Sequence, residues 1–244
     1  MRDLAVPPEL LREQLSALGD AGYRLVGLTE ALELIDRGST EKLVAVTFDD
    51  GYRNFLTQGV PILKETGAGA TLYASVGHLG GTAGWLGPWA PDFGPMLTWD
   101  ELAEVRDAGV EIGNHSMIHH PLDVLPPAQL RDEIINSHRE LEQRLQTRVR
   151  SFAYPHGYNS RRVRDLVASL DYDNATEVGR RLHTPSEKRL AVPRLQPTPD
   201  HSGAALVELV RTGETGLAPK VKQLAQPGWR VARKVARTFG KNLT

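Results

Sequence analysis

The chain has 244 residues, 40% of them apolar, with a formal net charge of −1 and no cysteine. That length and apolar content suit one substantial core, within the range where α/β barrels remain a single domain. The near-neutral balance argues against a nucleic-acid binder taken as a whole, and the missing cysteines exclude disulfide frameworks and thiolate metal sites.

In chain order, Pro8 to Leu18 reads as a helix, with proline in its first turn and glycines at 19 and 22 closing it. "YRLVGL" follows as a strand, then Thr29 to Asp36 as a helix with a threonine N-cap, then "KLVAVTF" as a buried strand. "ATLYASV" is another strand. Thr98 and Glu101 form a capping box for a helix through Val105, and "GVEIG" is the short strand after it. A long helix is predicted from about Pro127 to Arg148, then a strand "SFAYP" and a helix from Ser160 to Leu170. Further strands are predicted near Asn174 to Val178 and Leu190 to Leu195. This alternation predicts a parallel sheet with outer helices, either a barrel or a doubly wound sheet.

Charge divides the chain in two. Residues 216–244 hold seven basic side chains and no acidic one, leaving 22 of the 29 basic residues against all 30 acidic ones. The body over 1–215 is acidic. In "PGWRVARKVARTFG" a helix would set Val231, Val235 and Phe239 on one side of a basic surface, suited either to peripheral contact with an anionic membrane or to packing on the body. The N-terminus lacks the apolar core of a signal peptide, and no window reaches the roughly 18–20 apolar residues of a membrane span. As the sequence stands this implies a cytoplasmic protein with possible membrane contact; an upstream export signal would place it outside the cell.

Three polar clusters each follow a predicted strand: Asp49-Asp50, "NHSMIHH" and "YPHG". In a parallel barrel those strand ends share one face, where barrel enzymes keep their active sites. His115 and His119, four residues apart, can reach a common point, and two histidines with a carboxylate suit a divalent ion such as zinc. Adjacent carboxylates repel unless a cation lies between them or one is protonated, so one aspartate can ligate the ion while its neighbour accepts a proton from water. His78 and His120 lack that spacing and read as loop residues.

"TFDDG" and "HSMIH", in this order, with "GYRLVGLTEAL", "SFAYPHG" and "LAVPRL", resemble the polysaccharide deacetylases with the NodB homology domain, carbohydrate esterase family 4, over roughly residues 8–212. The resemblance implies an irregular (β/α) barrel of about seven parallel strands with outer helices. It implies hydrolysis of N-acetyl groups on an amino-sugar polysaccharide, oligosaccharide or glycoconjugate. It assigns Asp50, His115 and His119 to the metal, most simply zinc, and Asp49 to the general base. Ser116 would hold the histidine loop, and the Tyr154-Pro155-His156 segment would face substrate, with the His156 N–H donating to the oxyanion. The motif arginine of the better-known members is absent at Ala153, as in a subset carrying F-A-Y-P, and Arg194 is the candidate to supply its charge. The family's late L-x-H motif has no plain match, which leaves His156, His183 and His201 as candidates for the general acid. Many relatives also begin with a Y-H-x-V strand not found here, so the barrel is open at that position or the recorded start is late. The loop Gly80 to Met96 carries Trp85, Trp89 and Phe93, either for stacking on sugars or as a minor core. Two other readings remain at this stage: a sugar-binding protein without turnover, and a metal-dependent amidase acting on a non-sugar amide.

Overall fold

A computed structural model describes residues 5–213. The basic segment 216–244, with its predicted helix, lies outside the described residues. Among the described residues, eight short strands, all paired in parallel, form the centre. They are β1 (Arg24–Val26), β2 (Leu43–Ala45), β3 (Thr47–Phe48), β4 (Thr71–Ala74), β5 (Glu111–Asn114), β6 (Ser151–Ala153), β7 (Asn174–Glu177) and β8 (Val192–Pro193). β1 pairs with β2, and β3 to β8 form a six-stranded sheet in sequential order. The predicted strand "KLVAVTF" breaks at Val46, whose N–H donates to Val26 O while its carbonyl accepts from Thr71 N–H, both at 2.9 Å. β2 and β3 are thereby two halves of one bent strand, and the sheet reads as the seven-stranded curl that the motifs imply.

Around it lie α1 (Pro8–Asp20), α2 (Leu28–Asp36), α3 (Val60–Thr66), α4 (Trp99–Asp107), α5 (Pro127–Arg131), α6 (Ser137–Leu145), α7 (Arg161–Ala168) and α8 (Gly203–Thr212). α4 begins with the capping box Thr98/Glu101 as predicted. Three local expectations are corrected. Thr29 is not the N-cap of α2: Gly27 occupies that position, and the Thr29 hydroxyl instead donates to Glu111 and accepts from Asn174 Nδ2. The helix predicted over 127–148 is interrupted by a π-turn, Asp132–Asn136, between α5 and α6. The strand predicted at 190–195 shrinks to β8, because a 3-10 turn, Arg189–Ala191, precedes it. The helical run from Phe55 through α3, and α8, have no counterpart in the sequence reading.

β4, β6 and β8 are buried along their whole length, so the interior beside them is filled rather than hollow. Its lower part is polar. Glu111, at the start of β5, accepts from Thr71 Oγ1 at 2.5 Å, and Ser151 Oγ donates to Asn174 Oδ1 and meets Tyr73 OH at 2.7 Å. Every buried group in this chain of contacts finds a partner, which is what makes a polar interior tolerable. Tyr73 stands in the barrel because Gly113 opposes it: a Cβ on Gly113 would lie 2.4 Å from the Tyr73 ring.

Candidate active site

The C-terminal ends of β3, β5, β6 and β8 deliver one cluster. After β3 the chain turns through Asp50 (φ 77°) and Gly51 (φ 92°), and Ser75 N–H holds the Asp50 carbonyl at 3.0 Å. After β5, His115 N–H bonds Ala74 O at 3.0 Å, and the His115 Nδ1–H donates to Ala153 O at 2.7 Å. That carbonyl fixes the tautomer and turns the Nε2 lone pair into the site. Asp50 Oδ1 lies 3.6 Å from His115 Nε2 and 3.4 Å from His119 Nε2. One ligand atom from each of the three residues falls within 4.8 Å of the others, a donor set that fits a divalent ion.

Four of the non-glycine residues with left-handed backbone belong to this region: Asp50, Ser116, His119 and His156. Such conformations are held only where surroundings over-determine them, and they cluster at functional sites.

The two aspartates are set apart by their surroundings. Burial alone would raise the Asp49 carboxyl, but Arg194 and then His115 hold it down at about 2. Arg194, on the segment leaving β8, clamps it with Nη1 to Oδ1 at 2.7 Å and Nη2 to Oδ2 at 2.8 Å, and also donates to Thr47 Oγ1 at 3.1 Å. Burial, then the Asp49 charge, pushes Asp50 up to about 8. Asp50 is therefore a carboxyl that needs a cation before it ionises at neutral pH, while Asp49 is ionised already. Burial lowers His115, and lowers His119 strongly, which keeps both rings neutral and able to donate lone pairs.

Of the remaining predicted residues, Ser116 is fully buried, and its Oγ accepts from His119 N–H at 3.2 Å. His156 keeps an accessible edge and stands against His119 with ring centroids 4.6 Å apart. Tyr154 and Pro155 are corrected: both are buried, and the Tyr154 hydroxyl donates to Leu190 O at 2.9 Å, so their side chains are core rather than substrate-facing. The acid candidates separate as well. His183 sits with Glu187, Arg181 and Arg189, and His201 Nδ1 accepts from Thr198 N–H at 3.0 Å near α1, so the contacts of both lie outside the cluster.

The Gly80 to Met96 loop divides its aromatics. Trp85 and Phe93 pack on a minor core of Ala83, Leu86, Ala90 and Met96, and Trp85 stacks on His119 at 4.4 Å. Trp89 is 68% exposed. His78 packs edge-on to Trp85, and His120 Nδ1 pairs with Glu133 at 3.0 Å. Glu133 and Asn114 are the residues that sequence reading missed: both touch the histidine loop, but Glu133 does so from a helix more than a dozen positions away, where no spacing rule reaches.

Comparison with known proteins bears on this cluster. A family model described as polysaccharide deacetylase matches residues 36–175. The chain is 25% identical over 207 residues to YxkH of Bacillus subtilis (strain 168), covering 83% of this chain and 69% of that one. It is 33% identical over 126 residues to the poly-beta-1,6-N-acetyl-D-glucosamine N-deacetylase of Escherichia coli (strain K12), a match spanning 49% of this chain and only 19% of that protein. Among solved structures, the Streptococcus pyogenes deacetylase PplD, in complex with acetate, superposes with a TM-score of 0.73 at 25% identity, over 87% of this chain and 89% of that one.

Proposed function

Because the chain belongs to the polysaccharide deacetylases, hydrolases of the amide carbon–nitrogen bond, we propose that it removes N-acetyl groups from an amino-sugar polymer or glycoconjugate with Asp49 as general base. One observation carries this reading. An ionised carboxylate, clamped by Arg194, stands 4.0 Å from His115 Nε2 and beside a three-residue ligand set that does not include it. A sugar-binding protein has no use for such a group, so the turnover reading is favoured over binding alone.

Asp50, His115 and His119 would hold one divalent ion, zinc by the borderline character of two imidazoles beside one carboxylate. Once bound, such an ion polarises an acetamide carbonyl and lowers the pKa of water. Asp49 accepts the proton of the attacking water, and Arg194 keeps both its oxygens fixed in one plane while it does so. The backbone N–H of His156, in a left-handed turn at φ 58° after β6, would donate to the developing oxyanion. The departing amine needs a proton, and His156 is the candidate whose ring contacts the cluster. Trp89, exposed on the loop whose Trp85 covers His119, offers a face for a sugar ring.

The substrate class has support from two similar proteins, one named for N-acetylglucosamine polymer deacetylation and one whose structure holds acetate. Acetate release from chitooligosaccharides and from β-1,6-linked N-acetylglucosamine oligomers tests it, before and after chelation and zinc readdition. Release that follows zinc, and is lost in Asp49→Asn with metal content unchanged, is the expected result. Full turnover in Asp49→Asn would refute the base assignment.

A further inference from the structure

The loop carrying His119 has an unusual hydrogen-bond account. Four consecutive backbone N–H groups, Ser116 to His119, all donate to side chains: Ser116 to Asn114 Oδ1 at 2.8 Å, Met117 and Ile118 to Glu133 Oε2 at 3.1 and 3.0 Å, and His119 to Ser116 Oγ at 3.2 Å. On the other side, the carbonyls of Ser116 and Met117 accept from Val76 and Gly77 N–H at 3.1 and 2.8 Å. The stretch holds two left-handed non-glycine residues, Ser116 at φ 66° and His119 at φ 61°, so its shape is imposed by partners rather than by its own preferences.

We propose that Glu133 is the positioning residue that sets His119 against Asp50 and His115. Glu133 is only 5% exposed and lies in the π-turn between α5 and α6, and its carboxylate is spent on the loop and His120. The π-turn itself is braced. Ser137 Oγ donates to the carbonyl of Glu133 at 2.6 Å and accepts from Asn114 Nδ2 at 2.9 Å, and Asn114 also donates to Tyr172 OH at 2.7 Å. Helix and loop are thus locked through two residues, one a carboxylate and one an amide. π-Turns recur at functional sites because the inserted residue re-aims a side chain, and here the turn presents Glu133 to the loop. Groups that hold ligating residues in place typically change metal affinity by about 10–100-fold when removed.

This rests on Asp50, His115 and His119 being the metal ligands, and cobalt(II) titration of the full-length apoprotein, read by its d–d absorption, separates the two claims. Glu133→Asp keeps the charge but withdraws the carboxylate by one methylene; Glu133→Ala removes it. Both are expected to bind cobalt(II) at least about tenfold more weakly with an altered band. Glu142→Ala removes a carboxylate that accepts Val149 N–H at 3.0 Å on α6, and is expected to leave affinity and band unchanged. Wild-type affinity and spectrum in Glu133→Asp would overturn the proposal, as would an equal loss in Glu142→Ala. Should Glu133→Ala not fold, Glu133→Asp decides alone. A wild-type protein that binds no cobalt(II) would overturn the ligand assignment and this inference with it.

Discussion

Replacing Arg194 by alanine tests the separation of the two aspartates most directly. The guanidinium makes two charge-assisted hydrogen bonds to Asp49, at 2.7 and 2.8 Å, and a third to Thr47 Oγ1 at 3.1 Å. Breaking a buried pair by removing one partner typically costs about 3–5 kcal/mol, but about a third of the Asp49 side chain is open to solvent, so about 2–3 kcal/mol is the reasonable loss of stability. The larger effect is on turnover. Without the fork Asp49 can rotate, and the repulsion from Asp50 is no longer offset, so a fall in kcat/KM of about 100-fold or more follows from the usual worth of a placed general base.

The pH signature identifies the cause. Asp49 titrates at about 2 when folded against an ordinary 3.8, so its contribution to stability is complete above about 4 and is lost as the pH falls through about 2. In Arg194→Ala its pKa rises, that acid dependence shrinks in urea titrations of the apoprotein, and the acid limb of kcat/KM moves upward. Lysine at 194 restores charge without the two-point clamp and recovers only part of the activity. Full turnover in Arg194→Ala with an unmoved pH profile would refute the reasoning.

Three other outcomes follow from the same contacts. Asp50 is raised to about 8, so protonation favours the folded apoprotein below about 4 and that advantage is lost as the pH rises through 8; apo Asp50→Asn should melt at least about 2 °C above apo wild type at pH 8, with the gap closing at pH 4, yet bind no metal. A gap that does not change with pH in differential scanning calorimetry would contradict this. Gly113→Ala puts a methyl 2.4 Å from the Tyr73 ring, whose face lies 5.7 Å from the Arg194 guanidinium; it should cost about 1–3 kcal/mol in chemical denaturation and lower turnover by displacing Arg194, and unchanged values in both would refute the packing account. Thr98→Ala removes the capping box of α4, should cost about 1 kcal/mol, and should leave acetate release intact; a loss of activity beyond that of stability would tie α4 to the site.

What was legible in the sequence is what is encoded within a few residues. The capping box at Thr98 and the His115/His119 pair are local patterns, and each survives folding. Thr29 shows the opposite case. It sits where an N-cap is wanted, but its hydroxyl has Glu111 and Asn174 as partners inside the barrel, and two bonds away from bulk water, one of them fully buried, outweigh one exposed cap. Tyr154 likewise lies in a motif that reads as substrate-facing, yet strand alternation turns its ring inward onto Leu190 O, and only the following turn brings His156 back to the surface.

Arg194 and Glu133 mark the boundary between those cases. Arg194 could be nominated because an expected positive charge was missing beside Asp49, so the chemistry posed the question even though the answer lies 145 residues away. No such deficit pointed to Glu133. The four amides of the histidine loop need acceptors, but a sequence does not reveal that a loop will leave its own carbonyls facing the opposite way, toward Val76 and Gly77. Nor does "DEIIN" announce a π-turn, since every residue in it tolerates an ordinary helix. The turn is imposed from outside, by a loop that must be held left-handed at Ser116 and His119 and by a carboxylate that must reach it. The geometry of the candidate ligand set is therefore written in two places, in Asp50, His115 and His119 themselves and in a helix whose irregularity makes sense only once the loop is in view.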